Sequence, residues 1–384
     1  MIIESERIVK NPFVSVIVIT YNQEKYIHQT LDSILQQACK FDWELIVAED
    51  CGTDNTRQIC IDYQKQYPEK IKLLLQDSNK GVMGNYLNVL SLCRGEYIAQ
   101  CSGDDYWTDN NKLQKQVDFL ENNKEYGLIF TDTDKYYENK KCFERAVLKN
   151  KINSNYGFID HLIKKGFCAP ATWVYRSKFS PVNFHYEKKN YVDESFVYLL
   201  DMFQISQVYF LKETTAVYRI IPNSVSFQID IKRKYCFLKG LFEIQKVYLE
   251  KYNVASDIRF LVYLGGYLEL LHLALQCRDD DFLCEAELFF KKQKQNQKYE
   301  SYLLFPETLA MYRMSENAAQ LLGDRSWIAY LLFWYKYIEK VPHWLFSLAV
   351  FFSDQQSGQN SLRNRICLKI LREYCNFKGV KPDK

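Results

Sequence analysis

The 384-residue sequence has no marked excess of either charge: 50 Lys and Arg stand against 47 Asp and Glu, for a formal net charge of +3. Because a dedicated nucleic-acid-binding domain is expected to be strongly basic, this near balance predicts that nucleic acid is not a partner. Long apolar runs are also absent. The nearest, residues 327–337, is shorter than the roughly 18 residues of a membrane span and is followed by Glu339 and Lys340.

Several metal, redox and targeting signals are missing as well. The 12 cysteines include no Cys-x-x-Cys pair, so neither a zinc knuckle nor a redox dithiol is indicated. The five histidines have no metal-ligand spacing, and we interpret them as structural or surface residues. The first residues lack the charged-then-apolar layout of a signal peptide. We therefore expect a cytoplasmic protein with reduced thiols.

The first 130 residues contain an alternation of strand and helix patterns. Residues 14–19 are almost continuously apolar and β-branched, as in a strand buried on both faces. Similar patterns predict strands at 44–48, 71–75 and 97–101, and helical apolar spacing lies between them over residues 27–35, 53–67 and 84–93. Such alternation predicts an α/β fold with a doubly wound, mostly parallel sheet.

The predicted secondary structure changes in the later part of the chain. Strands at 128–131 and 172–175 and a helix from about 194 to 203 are predicted. From about residue 235 the pattern becomes helical, with few glycines and with leucines at helical spacing. We therefore expect an α/β domain over residues 1–230 and an all-helical region over residues 231–384.

Polar turns follow three of the predicted strands. Ligands of open α/β sheets bind at the carboxyl ends of strands, so these turns predict one shared site. Adjacent aspartates there suit a hard divalent cation. The alternatives are helix capping by the aspartate pair and a plain strand-to-helix turn after the second strand. The turns are Thr20-Tyr21-Asn22, Glu49-Asp50 and Ser102-Gly103-Asp104-Asp105.

In these segments the chain resembles family 2 of the inverting glycosyltransferases, which have the GT-A fold. Residues 12–22 look like the opening strand of that family, residues 49–54 like its DDGSTD turn, residues 79–81 like its NxG turn, and residues 103–116 like its metal segment. The resemblance is close over about residues 12–135 and thinner to residue 228. It implies transfer of a sugar, with inversion, from a nucleotide-diphosphate donor (most often a UDP-sugar) to a hydroxyl of a glycan or lipid-linked acceptor. Mg²⁺ or Mn²⁺ is the implied cofactor.

The resemblance also implies a role for each site residue. Two departures bear on the metal: Glu49 stands where the family usually has Asp, and Ser102 stands where many members have an acidic residue. The metal would then rest on fewer protein carboxylates. Trp107 would stack on the acceptor, with a core position as the alternative. The implied nucleotide and donor contacts are Thr20, Tyr21, Asn22, Glu24, Glu49, Asp50, Asn79, Gly81, Asn85, Asp104 and Arg219, and the implied metal ligands are Asp105 and Asp104.

Inversion needs a carboxylate that removes the acceptor proton. By resemblance Asp193 is this base, with Glu194 as the second candidate and helix capping as the alternative for both. The segment 217–226 looks like the family loop YRxHxxSxS, in which Arg219 would clamp the diphosphate, helped by Ser224 and Ser226. Ile221 replaces the family histidine there. The alternative for Arg219 is a structural pairing within the domain.

Other readings of the sequence remain open. A nucleotidyl transferase would want a glycine-rich loop after the first strand, and residues 20–24 contain no glycine. A catalytically degenerate nucleotide-binding or scaffolding protein of glycan assembly is the main alternative. Residues 361–384 carry seven Lys and Arg against two acidic residues. This basic, amphipathic segment predicts a peripheral contact with the inner face of the membrane, or else a terminal helix packed on its own domain.

Overall fold

The computed structural model describes residues 1–149, 152, 156–165, 168–181, 191–222 and 230–294. Within these ranges ten strands join in one sheet. The strands are β1 (Ile2–Ile3), β2 (Val14–Thr20), β3 (Trp43–Glu49), β4 (Ile71–Leu75), β5 (Tyr97–Ser102), β6 (Tyr106–Trp107), β7 (Tyr126–Tyr137), β8 (Cys142–Glu144), β9 (Val174–Arg176) and β10 (Gln207–Ile220). The α-helices are α1 (Ile27–Leu35), α2 (Thr56–Gln66), α3 (Gly81–Leu90), α4 (Lys112–Asn122), α5 (Phe158–Lys164), α6 (Glu194–Ile205), α7 (Ile231–Lys251), α8 (Ser256–Cys277) and α9 (Asp280–Lys294).

The order of strands across the sheet is β1-β4-β3-β2-β5-β9-β7-β10-β6, with β8 beside β7. The strands β4, β3, β2 and β5 are parallel neighbours, and so are β7 and β10. The short β9 joins these two groups and runs antiparallel to both. The edge strands β1 and β6 are also antiparallel to their neighbours. The predicted mostly parallel sheet is therefore confirmed.

Helices cover both faces of the sheet because its central strands are apolar on both sides. In β2, Val16 and Val18 pack into one core layer with α1, α2 and α4, whereas Ile17 packs into the opposite layer with α3 and α6. Ile27 and Leu31 lie one turn apart on α1 and face the first layer. The continuous apolar run of β2 thus follows from its burial on both faces.

The carboxyl ends of the parallel strands meet at one edge of the sheet. Residue pairing places Thr20 of β2 beside Glu49 of β3, and Ile19 of β2 beside Ser102 of β5. Glu49 in turn lies beside Leu75 of β4. The three polar turns predicted from the sequence therefore leave the sheet side by side.

Among the elements that differ from the sequence expectation are α2 and β10. The helix expected from about residue 53 begins at Thr56, because Asp54 accepts hydrogen bonds from the backbone N–H groups of Thr56 and Glu24 and so belongs to the turn. The sequence does not predict β10, because the first half of this strand is only partly buried and carries no continuous apolar run.

The chain separates into two compact units. The first contains Met1–Asp230 and Gly240–Arg259, and the second contains Ile231–Lys239 and the residues from Phe260 onward. In the second unit, Tyr267 packs its ring on Phe282 and Phe289. As expected from the sequence, the described residues after 230 are helical. Among the helices described here, none is both long and apolar enough to cross a membrane. Residues 361–384 lie outside the described ranges.

Candidate active site

The first polar turn is tied to the other two by backbone contacts. The Thr20 carbonyl accepts a hydrogen bond from the Asp50 N–H (3.0 Å), and the Ile19 carbonyl accepts one from the Gly103 N–H (3.0 Å). The Thr20 hydroxyl donates to Gln23 Oε1 (2.8 Å). A side chain at Gly103 would place its Cβ within 2.6 Å of this hydroxyl, so only glycine fits there. The three turns are thus held as one unit.

Asn22 and Glu24 connect the first turn to the second. Asn22 adopts a left-handed backbone conformation with φ of 52°, which asparagine tolerates better than most residues. Its Oδ1 accepts a hydrogen bond from the Thr53 N–H (2.7 Å), and Glu24 Oε2 accepts one from the Asn55 N–H (3.0 Å). Tyr21, which directly precedes Asn22, is 44% exposed. The Tyr21 side chain is therefore accessible to a nucleotide.

Glu49 is fully buried and shapes the turn that follows β3. Its Oε1 accepts a hydrogen bond from the Gly52 N–H (2.5 Å), and its Oε2 pairs with Arg57 Nε (2.5 Å). The Arg57 guanidinium also donates to the Gln76 carbonyl (2.7 Å). Both oxygens of Glu49 therefore have protein partners. This geometry favours a turn-fixing role for Glu49 over the donor contact implied by the resemblance.

Asp50 lies beneath the predicted NxG turn. Its Oδ1 accepts a hydrogen bond from the Lys80 N–H (2.8 Å). Asn79 Oδ1 accepts one from the Gly81 N–H (2.9 Å), and Gly81 starts α3 at φ of +73°, a conformation that favours glycine. Buried Asn85 donates to the Ala48 carbonyl at the end of β3 (2.9 Å). Asn79, Gly81 and Asn85 therefore fix the turn against Asp50.

The pair Asp104-Asp105 follows β5 at the same edge, with Asp104 partly buried and Asp105 buried. Asp105 is 1% exposed; its Oδ1 accepts a hydrogen bond from the Arg219 N–H (2.9 Å). Its Oδ2 has no hydrogen-bond partner among the residues that the structure describes. The Thr30 hydroxyl lies within hydrogen-bonding distance of the Gly103 and Asp105 carbonyls (2.9 and 2.6 Å) and so fixes the backbone around the pair.

Two adjacent buried carboxyl groups resist ionisation together. Burial raises the pKa of Asp104 to about 6. Burial also raises the pKa of Asp105 well above its usual range, and the Asp104 charge adds to this effect. A nearby cation would lower both pKa values, because it favours the ionised carboxylates. The unpartnered Oδ2 and the mutual repulsion are thus what a divalent cation would complement.

The donor set available to a metal is small. Within the described ranges no three His, Cys, Asp or Glu side chains converge as a metal-binding group. Mg²⁺ is commonly held by only one or two carboxylates, with phosphate oxygens and water completing its shell. Asp104 and Asp105 fit that pattern, and Ser102 adds no carboxylate.

Arg219, near the end of β10, packs directly on the aspartate pair. Its Nε donates to the Asp104 carbonyl (2.8 Å), its Nη1 to Glu138 (2.5 Å) and its Nη2 to Gln29 (2.7 Å). Each guanidinium nitrogen therefore has a protein partner. This is the structural pairing that the sequence leaves open as the alternative to a diphosphate clamp. Ser224 and Ser226 of the same loop lie outside the described residues.

Trp107 is 4% exposed and belongs to the core. Its indole N–H donates to the Ala171 carbonyl (2.8 Å), and the Lys112 ammonium lies 4.4 Å from the ring centre. This burial favours the core position that the sequence leaves open as the alternative to stacking on the acceptor.

Asp193 caps the N-terminus of α6. Its Oδ1 accepts hydrogen bonds from the Phe196 N–H (2.9 Å) and the Ser195 hydroxyl (2.6 Å). Only Ser206 separates α6 from β10, so the helix that Asp193 caps leads directly into this strand. Burial raises the pKa of Glu194, and the charge of Asp193 adds to the effect. Capping is thus observed, and Oδ2 of Asp193 takes part in neither bond.

Sequence reasoning missed two buried carboxylates on β7. Asp132 Oδ1 accepts a hydrogen bond from the Leu148 N–H (2.8 Å), and its Oδ2 accepts one from the Lys149 N–H (3.0 Å). Asp134 Oδ1 accepts one from the Ala146 N–H (2.8 Å). These contacts hold residues 146–149 against the strand. The signal was present, since aspartates directly after the apolar run of a buried strand need partners.

Comparison with known proteins identifies relatives of the matching part of the chain. Residues 15–180 match the model of glycosyl transferase family 2. An uncharacterized protein of Mycobacterium tuberculosis is 34% identical over 215 residues, which cover 53% of this chain and 58% of that protein. The UDP-Glc:alpha-D-GlcNAc-diphosphoundecaprenol beta-1,3-glucosyltransferase WfaP of Escherichia coli is 31% identical over 144 residues, which cover 38% of this chain and 54% of WfaP. The chain therefore spans little more than half the length of these relatives.

A solved structure supports the same grouping at the level of the fold. The mannosyltransferase PcManGT from Pyrobaculum calidifontis, in complex with GDP-Man and Mn²⁺, aligns with a TM-score of 0.51 at 14% identity, over 84% of this chain and 86% of that chain. At this identity the likeness concerns the fold alone, and it agrees with the GT-A arrangement. The family match and the sequence relatives agree with the fold: residues 15–180 of the chain are similar to glycosyl transferase family 2.

Proposed function

We propose that the chain is an inverting glycosyltransferase that moves a sugar from a nucleoside diphosphate donor, preferably a UDP-sugar, to a hydroxyl of a glycan or lipid-linked acceptor. The observation that carries this proposal is the Asp104-Asp105 pair, in which buried Asp105 has an oxygen with no partner among the described residues. The pair lies at the sheet edge shared with Thr20 and Asp50. A nucleotide at this edge would meet both turns.

The donor would be oriented by residues that the structure already holds in place. Asp50 and Thr20 would receive the nucleoside, with exposed Tyr21 beside it. Asp104 would face the ribose and sugar side, and Asp105 would hold Mg²⁺ or Mn²⁺. When bound, such a cation neutralises charge on the departing diphosphate. The preference for uridine follows the family resemblance and the donor named for WfaP.

Asp193 would remove the acceptor proton. The attack comes from the face opposite the diphosphate, so the base must stand apart from the aspartate pair. Asp193 has a carboxylate oxygen for this task, because only Oδ1 accepts the hydrogen bonds that cap α6. Glu194, whose pKa is raised by burial, is the second candidate. We also propose that the reaction takes place at the cytoplasmic face of the membrane, with residues 361–384 as a peripheral contact.

A donor screen tests the proposal. The chain is incubated with a panel of UDP- and GDP-sugars, with Mn²⁺, with Mg²⁺, or with EDTA, and release of the nucleoside diphosphate is measured. We expect slow, metal-dependent release from at least one donor. Binding of a nucleoside diphosphate without turnover of any donor would support the scaffolding alternative instead. A chain that neither binds nor turns over any of them would contradict both readings.

A further inference from the structure

We propose that Arg219 is a positioning residue, which holds Asp104-Asp105 in place for donor binding, and that it does not contact the diphosphate. The inference rests on the proposed function and concerns the same site. It assigns to Arg219 a role different from the clamp that the family resemblance implies. The test below separates the failure of this inference from the failure of the proposed function.

Arg219 makes two hydrogen bonds to the aspartate pair, one from its backbone and one from its side chain. The backbone N–H donates to Asp105 Oδ1 (2.9 Å). The guanidinium Nε donates to the Asp104 carbonyl (2.8 Å). The first bond fixes which oxygen of Asp105 remains unpartnered, and the second fixes the backbone from which the Asp104 side chain projects. One residue therefore sets the orientation of both carboxylates.

The far side of the guanidinium is anchored as firmly as the near side. Nη1 pairs with Glu138 Oε1 (2.5 Å) and Nη2 donates to Gln29 Oε1 (2.7 Å). Arg219 is 7% exposed. To clamp a diphosphate, the guanidinium would have to release a carboxylate or an amide that it already holds in a planar, directed arrangement. The same contacts suit a residue that holds the neighbouring segments in fixed positions.

Three tyrosine rings surround the guanidinium. The ring centres of Tyr26, Tyr106 and Tyr136 lie 4.7, 5.4 and 5.7 Å from its central carbon. The rings come from the residue before α1, from β6 and from β7. Cation–π contacts of this kind restrain a guanidinium that is shielded from water. Arg219 therefore joins the start of α1 and the ends of β7 and β10 to the segment that carries the aspartates.

Nucleotides with one or two phosphates distinguish positioning from clamping. UDP and GDP are first titrated into the parent chain with Mn²⁺, and the one that binds is then compared with its monophosphate in EDTA, where no metal links the aspartates to the phosphates. If Arg219 positions the aspartates, Arg219→Gln weakens diphosphate and monophosphate alike, by at least about tenfold. If Arg219 clamps the second phosphate, Arg219→Gln weakens the diphosphate far more than the monophosphate, which overturns the inference.

Arg219→Lys adds a second discrimination. A lysine keeps the positive charge but cannot donate in three fixed directions. We expect it to behave like Arg219→Gln, because positioning depends on the planar fork. A phosphate clamp would be largely preserved by the lysine charge. Recovery of diphosphate affinity to within about twofold of the parent would therefore count against the inference.

Arg176→Gln is the matched control. Arg176 also donates to three partners, the Tyr126 carbonyl, the Tyr97 hydroxyl and the Leu120 carbonyl, and its guanidinium also lies near a tyrosine ring. Arg176 pairs with Tyr97, the first residue of β5, and so lies at the amino ends of the parallel strands, away from the site. We expect its loss to lower the unfolding temperature without changing nucleotide affinity. An equal loss of affinity in this variant would show that Arg219 acts only through general stability.

Gln29→Ala keeps the inference testable if Arg219→Gln fails to fold. Gln29 is exposed, and of the guanidinium it contacts only Nη2. Removal of the Gln29 side chain takes one hydrogen bond from the guanidinium without altering Arg219 itself. We therefore expect a smaller loss of affinity, equal for diphosphate and monophosphate. Unchanged affinity in Gln29→Ala and in Arg219→Lys would overturn the inference. A parent chain that binds neither UDP nor GDP would instead defeat the proposed function, and the inference with it.

Discussion

At the scale of single residues, Asp193 has two oxygens for two tasks. Oδ1 caps α6, and the proposed base function would fall to Oδ2. Asp193→Asn keeps an oxygen for the cap but cannot accept a proton. We therefore expect nucleotide affinity to stay within about twofold of the parent, while donor turnover falls by at least about a hundredfold. Calorimetric titration and release of the nucleoside diphosphate measure the two quantities.

Glu194→Gln serves as the companion variant. Glu194 lies one residue further along and shares the same helix start, but no contact of the cap depends on it. We expect Glu194→Gln to remain active. An inactive Glu194→Gln together with an active Asp193→Asn would move the base from Asp193 to Glu194.

Lys112 is a second residue whose environment sets a measurable property. Its side chain is fully buried, with Nζ bonded to Gln116 Oε1 (2.7 Å), and burial lowers its pKa to about 7. In the unfolded chain a lysine titrates near 10.4. Between about pH 7 and pH 10 the unfolded chain therefore binds this proton more tightly than the folded chain does. Stability from Lys112 is present at high pH and is lost as pH falls toward 7.

Lys112→Met removes this pH dependence. We expect the free energy of unfolding of the parent, relative to the variant, to rise from about pH 7 to about pH 10, by at most about 1.4 kcal/mol per pH unit. Urea unfolding at several pH values gives the difference. Lys70→Met is the control, since the Lys70 ammonium also lies over a tryptophan ring but the residue is partly exposed. A constant difference between the parent and Lys112→Met would contradict the prediction.

At the scale of elements, β3 carries a buried glutamate at each end. Glu44, near the amino end, pairs with Arg94 (2.6 Å), and Glu49, at the carboxyl end, pairs with Arg57 (2.5 Å). Loss of either pair leaves an arginine without its partner, which costs about 1–3 kcal/mol of stability. Only the pair at the carboxyl end shapes the turn that holds Asp50. The strand therefore contains its own control.

We expect Glu49→Gln and Arg57→Met to weaken nucleotide binding by similar factors, and the double variant to be little worse than either. Glu44→Gln should unfold at a lower temperature yet bind nucleotide like the parent. Glu49→Asp restores the residue usual in the family but is too short to reach Arg57, so it should resemble Glu49→Gln. Full nucleotide affinity in Glu49→Asp would show that nucleotide binding does not depend on the contact between Glu49 and Arg57, which contradicts the prediction.

The elements also differ in how far the sequence reveals them. The strand β2 can be predicted from the sequence, because both of its faces are buried and nearly every residue is apolar. The strand β10 is not, because it pairs with β7, about eighty residues earlier, and its first half is largely unburied. Motif order brings Thr20, Asp50 and Asp105 together. No local pattern places Arg219 against Gln29 and Glu138, since those contacts depend on tertiary structure alone.

At the scale of the whole molecule, metal and nucleotide should bind as a coupled pair. Asp104 and Asp105 offer too few ligands to complete a cation shell, so the diphosphate must supply the rest. We expect Mn²⁺ to raise the affinity for the nucleoside diphosphate by at least about tenfold and, by reciprocity, the nucleotide to raise the affinity for Mn²⁺ equally. Thermal unfolding with each ligand alone and with both measures this coupling.

The matching control is the nucleoside without phosphates. Uridine or guanosine should bind equally well with Mn²⁺ and with EDTA, because neither brings oxygens to the metal. The shift in unfolding temperature with Mn²⁺ and diphosphate together should exceed the sum of the separate shifts. Additive shifts would mean that the cation binds elsewhere or that Asp104 and Asp105 do not share it.

The buried aspartate pair has a consequence for the evolution and engineering of this chain. Two adjacent carboxyl groups that burial keeps from ionising freely lower the stability of the fold. Such residues are retained only where selection for function requires them. Random variants selected only for heat resistance should therefore accumulate substitutions at Asp105, and those variants should be inactive. Selection for activity should keep Asp105 and gain stability elsewhere, for example on exposed helix faces. The position at which the two selections diverge would itself mark the site.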